Sequence, residues 1–294
     1  MPLGGVVTAV VTGASGFVGR HLVRALTTSG VDVHAVVRAS STRPAPAVPE
    51  TRIHRLDEPS AEIAEVIEKV QPDVVFHLAT HFAARHQPSE IIAMMESNVV
   101  FGTTLAQACA AQRARLVHTT SAWQHYQGAD YEPVSLYAAS KQALVDVIEY
   151  FRIVEGLDAR EVCLFDTYGP DDDRGKLVSA LLTSARNGTS MQMSSGLQLI
   201  DLVHIDDVVA ALRLAAEVPS FGQRMVVRTG QPIMVRQLAA TVAEVSGRPL
   251  GVEWGARPDR GREMTADWVI AAENHGWTPQ IALVDGLAQL WQDA

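Results

Sequence analysis

Apolar positions in the first half of the chain fall into two alternating patterns. Short runs rich in β-branched residues read as strands: VVTAVV (6–11), VDVHAVV (31–37), RIHRL (52–56), DVVFHLA (73–79), RLVHTTS (115–121) and REVCLF (160–165). Between them lie segments whose apolar residues recur every three or four positions. These are GFVGRHLVRALTTSG (16–30), PSAEIAEVIEKV (59–70), a long stretch near 90–112 and another over 136–155, and each predicts a helix. Strands that are apolar on both faces belong in a parallel sheet covered by helices on both sides. Right-handed crossovers between them give a doubly wound α/β fold of the Rossmann type.

Beyond residue 166 the alternation fades into a polar loop, YGPDDDRG (168–175), two short helices, a Gly/Ser/Met stretch, and a Pro- and Gly-rich tail with one clear helix (235–246). This pattern predicts a dinucleotide-binding domain over 1–166 and a smaller substrate-binding lobe mainly over 167–294. Parts of 200–230, such as VVRTG (226–230), would return to the first domain.

Composition narrows the partners. In 294 residues, 47% are hydrophobic and 19% charged, as in a soluble globular protein, and the net charge of −9 attracts neither nucleic acid nor anionic membrane. No apolar run approaches the ~20 residues a membrane span needs, and no basic flank precedes the first strand, so the expected address is the cytoplasm. The two cysteines, Cys109 and Cys163, sit among apolar neighbours and read as core residues. The aspartates 171–173 read as a solvated loop, and no metal site is expected.

The first strand–helix junction carries VVTGASGFVGRHL, with Gly13, Gly16 and Gly19 three apart. A turn without Cβ atoms lets the backbone approach a pyrophosphate, and the helix N-terminus supplies free N–H groups and partial positive charge. Ser15, Phe17 and Val18 belong to the same loop. Leu78, Ala79, Thr80 and Phe165 stand at the ends of later strands on the carboxyl edge, where ligands bind in such sheets. The second strand ends in HAVVRAS, with Arg38 and Ser40 where an acid would hold an adenosine 2′-hydroxyl. A guanidinium there suits a 2′-phosphate, worth on the order of 1.5–3 kcal/mol, and predicts NADP(H).

The candidate chemistry lies in SAWQHYQGADYEPVSLYAASK (121–141). Of its three tyrosines only Tyr137 has a lysine, Lys141, one helical turn onward, and the chain has just three lysines. A phenol titrates near ~10, and a neighbouring ammonium would lower that toward the range useful for proton exchange. Ser121, at the end of its strand, is a candidate hydroxyl beside it, with Thr119 and Thr120 as competitors.

TGASGFVG, HLA (77–79), TTSA (119–122), YAASK, LFDTYGP (164–170) and IDLVHIDDVVAAL (200–212) together resemble the extended short-chain dehydrogenase/reductases, the NAD-dependent epimerase/dehydratase family. The resemblance implies Tyr137 as general acid, Lys141 as its partner and ribose ligand, and Ser121 as the hydroxyl on the substrate carbonyl. It implies Asp57 near the adenine, although that residue also fits a helix N-terminal acid, and Asn98 as an organiser of the lysine's surroundings. Ala122-Trp123 stand where related dehydratases have Asp-Glu, which disfavours dehydration. The chain is most similar to nucleotide-sugar 4-ketoreductases of the CDP-abequose synthase type. By that likeness Trp123, Gln124, His125, Asp166, Thr167, Lys176 and Arg257 would line the substrate pocket, with Arg260 and Arg262 as further candidates for a diphosphate. Asp166 and Cys163 depart from the Asn and Arg common in the family. The implied substrate is a small molecule, either a nucleotide sugar or a natural-product ketone such as a polyketide. A 4-epimerase and a non-catalytic NADP-binding regulator are the other readings. Family members pair through two long helices, here near 90–112 and 136–155, which implies a homodimer.

Overall fold

The structure, a computed structural model, describes residues 8–43, 47–222 and 224–292. Six parallel strands alternate with helices along the first part of the chain: β1 (Thr8–Thr12), α1 (Phe17–Thr28), β2 (Asp32–Arg38), β3 (Ile53–Leu56), α2 (Pro59–Val70), β4 (Val74–His77), α3 (Ile91–Met95), α4 (Phe101–Gln112), β5 (Arg115–Ser121), α5 (Leu136–Val154) and β6 (Ala159–Leu164). The first predicted strand, 6–11, is described from Thr8; Val6 and Val7 lie outside the described residues.

The remaining elements are β7 (Asp166–Tyr168), α6 (Leu177–Asn187), β8 (Ser190–Met193), β9 (Leu199–Ile200), β10 (Leu202–His204), α7 (Ile205–Glu217), β11 (Arg224–Val227), β12 (Ile233–Met234), α8 (Val235–Ser246), β13 (Gly251–Trp254) and α9 (Leu283–Gln292). The main sheet runs β11-β6-β5-β4-β1-β2-β3, parallel throughout. Its order reverses between β1 and β4, which opens a crevice at the carboxyl edge. The doubly wound α/β fold read from the apolar pattern is therefore the fold observed.

Each face of the sheet carries its own core. Leu22, Val23 and Leu26 of α1 and Val208, Ala211 and Leu212 of α7 bury one face with Val11, Val33 and Val162. Ile63 and Ile67 of α2, Leu105 of α4 and Leu144 and Ile148 of α5 bury the other with Val10, Val75 and Leu116. A third cluster joins α6, α8 and α9 around Tyr168, Leu181, Leu238 and Leu287. Among the described residues no helix is long and apolar enough to cross a membrane.

Two features escape the sequence pattern. The helix expected over 90–112 is interrupted: a π-helical turn over Glu96–Val100 separates α3 from α4 and buries Asn98. The final helix α9 closes the third cluster, although its segment gave no strong helical signal.

The carboxylate of Asp201, fully buried between β9 and β10, fastens the turn after β11. It accepts from the Thr229 amide (2.7 Å) and hydroxyl (2.6 Å), the Gly230 amide (2.9 Å) and Arg228 Nε (3.1 Å). Asp201→Ala leaves these donors and a guanidinium without their partner, at a cost of about 3–5 kcal/mol. Urea denaturation should show that loss, and an unchanged midpoint would refute the role.

Candidate functional site

The glycine loop forms where β1 meets α1. Gly13 takes φ +68°, and a Cβ there would lie 2.7 Å from the Ala79 amide nitrogen, so the loops after β1 and β4 touch backbone to backbone. A Cβ on Gly19 would run into the Gly13 carbonyl and the Ala14 Cα, which holds α1 tightly against the turn. The N-terminus of α1 has neither a side-chain cap nor an acid in its first turn, so its N–H groups and positive end face the crevice. This cradle fits a dinucleotide pyrophosphate.

The crevice has a volume of about 1330 Å³. Ser15, Gly16, Phe17, Val18, Gly19, Arg38, Ser40, Leu78, Ala79, Thr80 and Phe165 line it, together with Ser121, Trp123, Tyr137, Asp166, Thr167 and Lys176. Five predicted residues lie outside this lining, among them Lys141, which is buried on α5. Asp57 is exposed beyond the lining at Leu56 and Pro59. Gln124 is fully buried, accepting from the Ser121 amide (3.0 Å) and donating to Gln142 (2.8 Å). His125 is buried between the Ala129 carbonyl (3.2 Å) and Arg224 (3.0 Å). Arg257 is exposed, its amide bound to the Met193 carbonyl.

The hydroxyls of Tyr137, Ser121 and Thr80 meet at the centre of the site. Ser135 caps α5 by accepting from the Ala138 amide (3.3 Å), which starts the helix so that Tyr137 comes up in its first turn. Ser121 and Thr80 lie beside the Tyr137 phenol, where their hydroxyls act to lower its pKa. Thr80 donates to Asn98 Oδ1 (3.1 Å), and Ser121 accepts from the Trp123 amide (3.3 Å). Ser121 therefore both caps a short turn and faces Tyr137. Asn98 also binds both backbone groups of His81 (2.6 and 3.0 Å) and donates to Ser140 (2.9 Å), joining the β4 loop to the turn before Lys141.

Burial dominates the electrostatics here. It pushes the Tyr137 phenol up to about 12, against the lowering by Ser121 and Thr80. This runs opposite to the lowering expected from a neighbouring ammonium. Burial also draws Lys141 down to about 8, with Glu161 acting in the other direction. Asp166 is raised by burial, opposed by the positive Lys176, Arg174 and Arg260.

Several lining residues were invisible to sequence reasoning. Phe82 meets Tyr137 edge-on (ring centroids 5.0 Å apart) and Trp123 at 5.5 Å, with the Lys176 ammonium 3.7 Å from its ring centre. Arg174 lies over Phe17, 4.1 Å from its ring centre, and is paired with Asp172 (2.7 Å). The three successive aspartates are arginine anchors: Asp171 for Arg24, Asp172 for Arg174, and Asp173 for both Arg20 and Arg43. Among the described residues no cluster of His, Cys, Asp or Glu could hold a metal ion.

A parallel sheet with its ligand crevice at the switch of strand order, a glycine-lined helix start and a Tyr and a Lys one helical turn apart on α5 define an enzyme of the NAD(P)-dependent oxidoreductase class. Residues 9–227 match the NAD dependent epimerase/dehydratase family, and the chain belongs to it. It is 30% identical over 304 aligned positions to a UDP-glucose 4-epimerase of Mycolicibacterium smegmatis (95% of this chain, 96% of the relative). It is 25% identical over 296 positions to a CDP-abequose synthase of Salmonella typhimurium (96% of each chain). Among solved structures, MoeE5 in complex with UDP-glucose and NAD superposes with a TM-score of 0.83 at 27% identity, covering 97% of both chains.

Gly19→Val forces a side chain into the Gly13 carbonyl and should weaken dinucleotide binding at least tenfold, measured by quenching of tryptophan fluorescence. Binding equal to that of the parent would refute the cradle.

Proposed function

We propose that the protein is an NADPH-dependent ketoreductase that reduces the 4-keto group of a nucleoside-diphosphate 4-keto-6-deoxyhexose, as in deoxysugar biosynthesis. The observation that carries this reading is that Ser121 and Tyr137 line the same crevice, Ser121 acting on the phenol, with Lys141 one helical turn onward on α5. A ketone oxygen placed between the two hydroxyls would receive both as donors. Ser121 then stabilises the charge that develops on oxygen, and Tyr137 gives up the proton. Reduced dinucleotide, held along the glycine loop, supplies the hydride. Lys141, as an ammonium, favours the phenolate left behind.

The cofactor form and substrate class rest on the two ends of the crevice. Arg38, Ser40, Ser41, Thr42 and Arg43 line the end beyond β2, which suits an adenosine 2′-phosphate. Lys176, Arg260 and Arg262 line the region beyond Trp123 and supply the cations a sugar diphosphate needs. The volume exceeds the ~300–1,000 Å³ typical of single-ligand pockets and suits two ligands bound together. The CDP-abequose synthase relative supports the reductase reading. A 4-epimerase is the second reading, favoured by the higher identity to the mycobacterial enzyme. For the assembly we propose a homodimer, with exposed Ile92, Val100, Tyr150, Ile153 and Val154 on α3, the π turn and α5 as its apolar contacts.

Absorbance of NADPH in the presence of CDP- and dTDP-linked 4-keto-6-deoxyglucose tests the reading. Stoichiometric loss supports the ketoreductase. Interconversion of hexose epimers without net loss of NADPH would support the epimerase instead. Tyr137→Phe should lower kcat by about 10²–10⁴-fold while NADPH still binds. Arg38→Ala should raise the Kd for NADPH about ten- to a hundredfold and leave NADH little changed; equal effects on both would remove the 2′-phosphate argument.

A further inference from the structure

One transverse rung of the main sheet is polar across five adjacent strands. In register, Thr12 of β1 pairs with His77 of β4, His77 with His118 of β5, His118 with Glu161 of β6, and Glu161 with Arg224 of β11. His77, His118 and Glu161 are buried at the centre of the sheet. Side-chain alternation places this rung on the face covered by α4 and α5. Leu116 belongs to that core, so His118 and Thr120, two and four residues on, point the same way. Arg160 reaches the carbonyls of Ala215 and Val218 at the α7 side, so Glu161 points to the α5 side.

A carboxylate buried in a sheet is costly unless charges and donors surround it. Glu161 accepts from Thr120 Oγ1 (2.7 Å), the residue before Ser121, and from Arg224 Nε (2.6 Å), whose Nη1 reaches His125 (3.0 Å). It lies on the face that α5 covers, and Lys141 of that helix is 3% exposed. We propose that Glu161 is a positioning residue for Lys141: its carboxylate, fixed by Thr120 and Arg224, keeps the lysine an ammonium under Tyr137. The inference concerns the protein without ligand and holds for either reading of the substrate.

The charges around the ammonium are few. His77 on β4 and His118 on β5 are held neutral by burial, His77 well below its ordinary range and His118 at about 3, both lowered further by Lys141 itself. Tyr137 on α5 stays protonated through neutral pH. Among the described residues, that leaves Glu161 as the anion acting on Lys141, with Arg224 of β11 bound to its carboxylate. Burial draws Lys141 down to about 8 and Glu161 opposes the fall, so loss of Glu161 shifts the ammonium's titration to lower pH.

A purely structural Glu161–Arg224 pair predicts that both partners' variants lose stability and leave Lys141 unmoved. The proposal predicts opposite shifts. Glu161→Gln should lower the Lys141 titration by about one pH unit. Arg224→Met removes a like charge and releases the carboxylate, and should raise it. With only three lysines in the chain, ¹⁵N-lysine NMR of the ligand-free protein reads the Lys141 side chain directly, with Lys141→Arg assigning the signal. If Glu161→Gln does not fold, Arg224→Met still tests the proposal, because a shift of zero or downward overturns it. Opposite shifts establish the role. An Arg224→Met shift of zero or downward, or a Glu161→Gln titration equal to that of the parent, overturns it.

Discussion

The backbone of Gly13 lies so close to that of Ala79 that no side chain fits between them, and the arrangement of the site depends on this approach. It occurs where the strand order reverses, so the loops leaving β1 and β4 are pressed together as their crossovers part to opposite faces. The β1 loop opens onto the unfilled start of α1, and the β4 loop carries Thr80, His81 and Phe82 toward Tyr137. A single close contact thereby fixes the spacing between the dinucleotide cradle and the reacting hydroxyls.

Polar groups beneath the site are placed with little slack. Asn98 spends its amide on Thr80, His81 and Ser140, and Gln124 spends its own on Ser121 and Gln142. Satisfied networks of this kind rigidify a site, because a rotamer change in one member strands another's buried donor or acceptor. The crevice surface is less committed. Phe82 remains 42% exposed, and Asp166 faces the crevice among three cations. Rigid support under an open, charged and aromatic wall suits a family whose chemistry is shared while its substrates vary.

Much of the fold was legible because parallel strands buried on both faces leave continuous apolar runs, and the helices between them keep a regular period. Gly13, Tyr137 and Lys141 were legible because their chemistry is local, a turn or one helical step. What stayed hidden depends on distance along the chain. Arg20 meets Asp173 across 153 residues, so the three aspartates looked like an ordinary solvated loop. Gln124 and His125 come three and four residues after Ser121 and were expected in the pocket. The short turn that Ser121 caps instead carries both inward, one to α5 and the other to Arg224. Glu161 sat unremarked in an apolar strand because its partners, Thr120 and Arg224, come from two other strands.

The π turn at Glu96–Val100 puts a length condition on the site. A π turn holds one residue more than the α-helical turn it replaces, and α-helix advances about 100° per residue. A chain one residue shorter here would close into ordinary α-helix and carry the side chain of position 98 about a quarter-turn or more around the axis, away from Thr80 and Ser140. Asn98 is thus placed by a residue count as much as by its own identity. Substitutions along α3 and α4 can be absorbed one at a time, whereas a single deletion would put the whole support of Tyr137 out of phase.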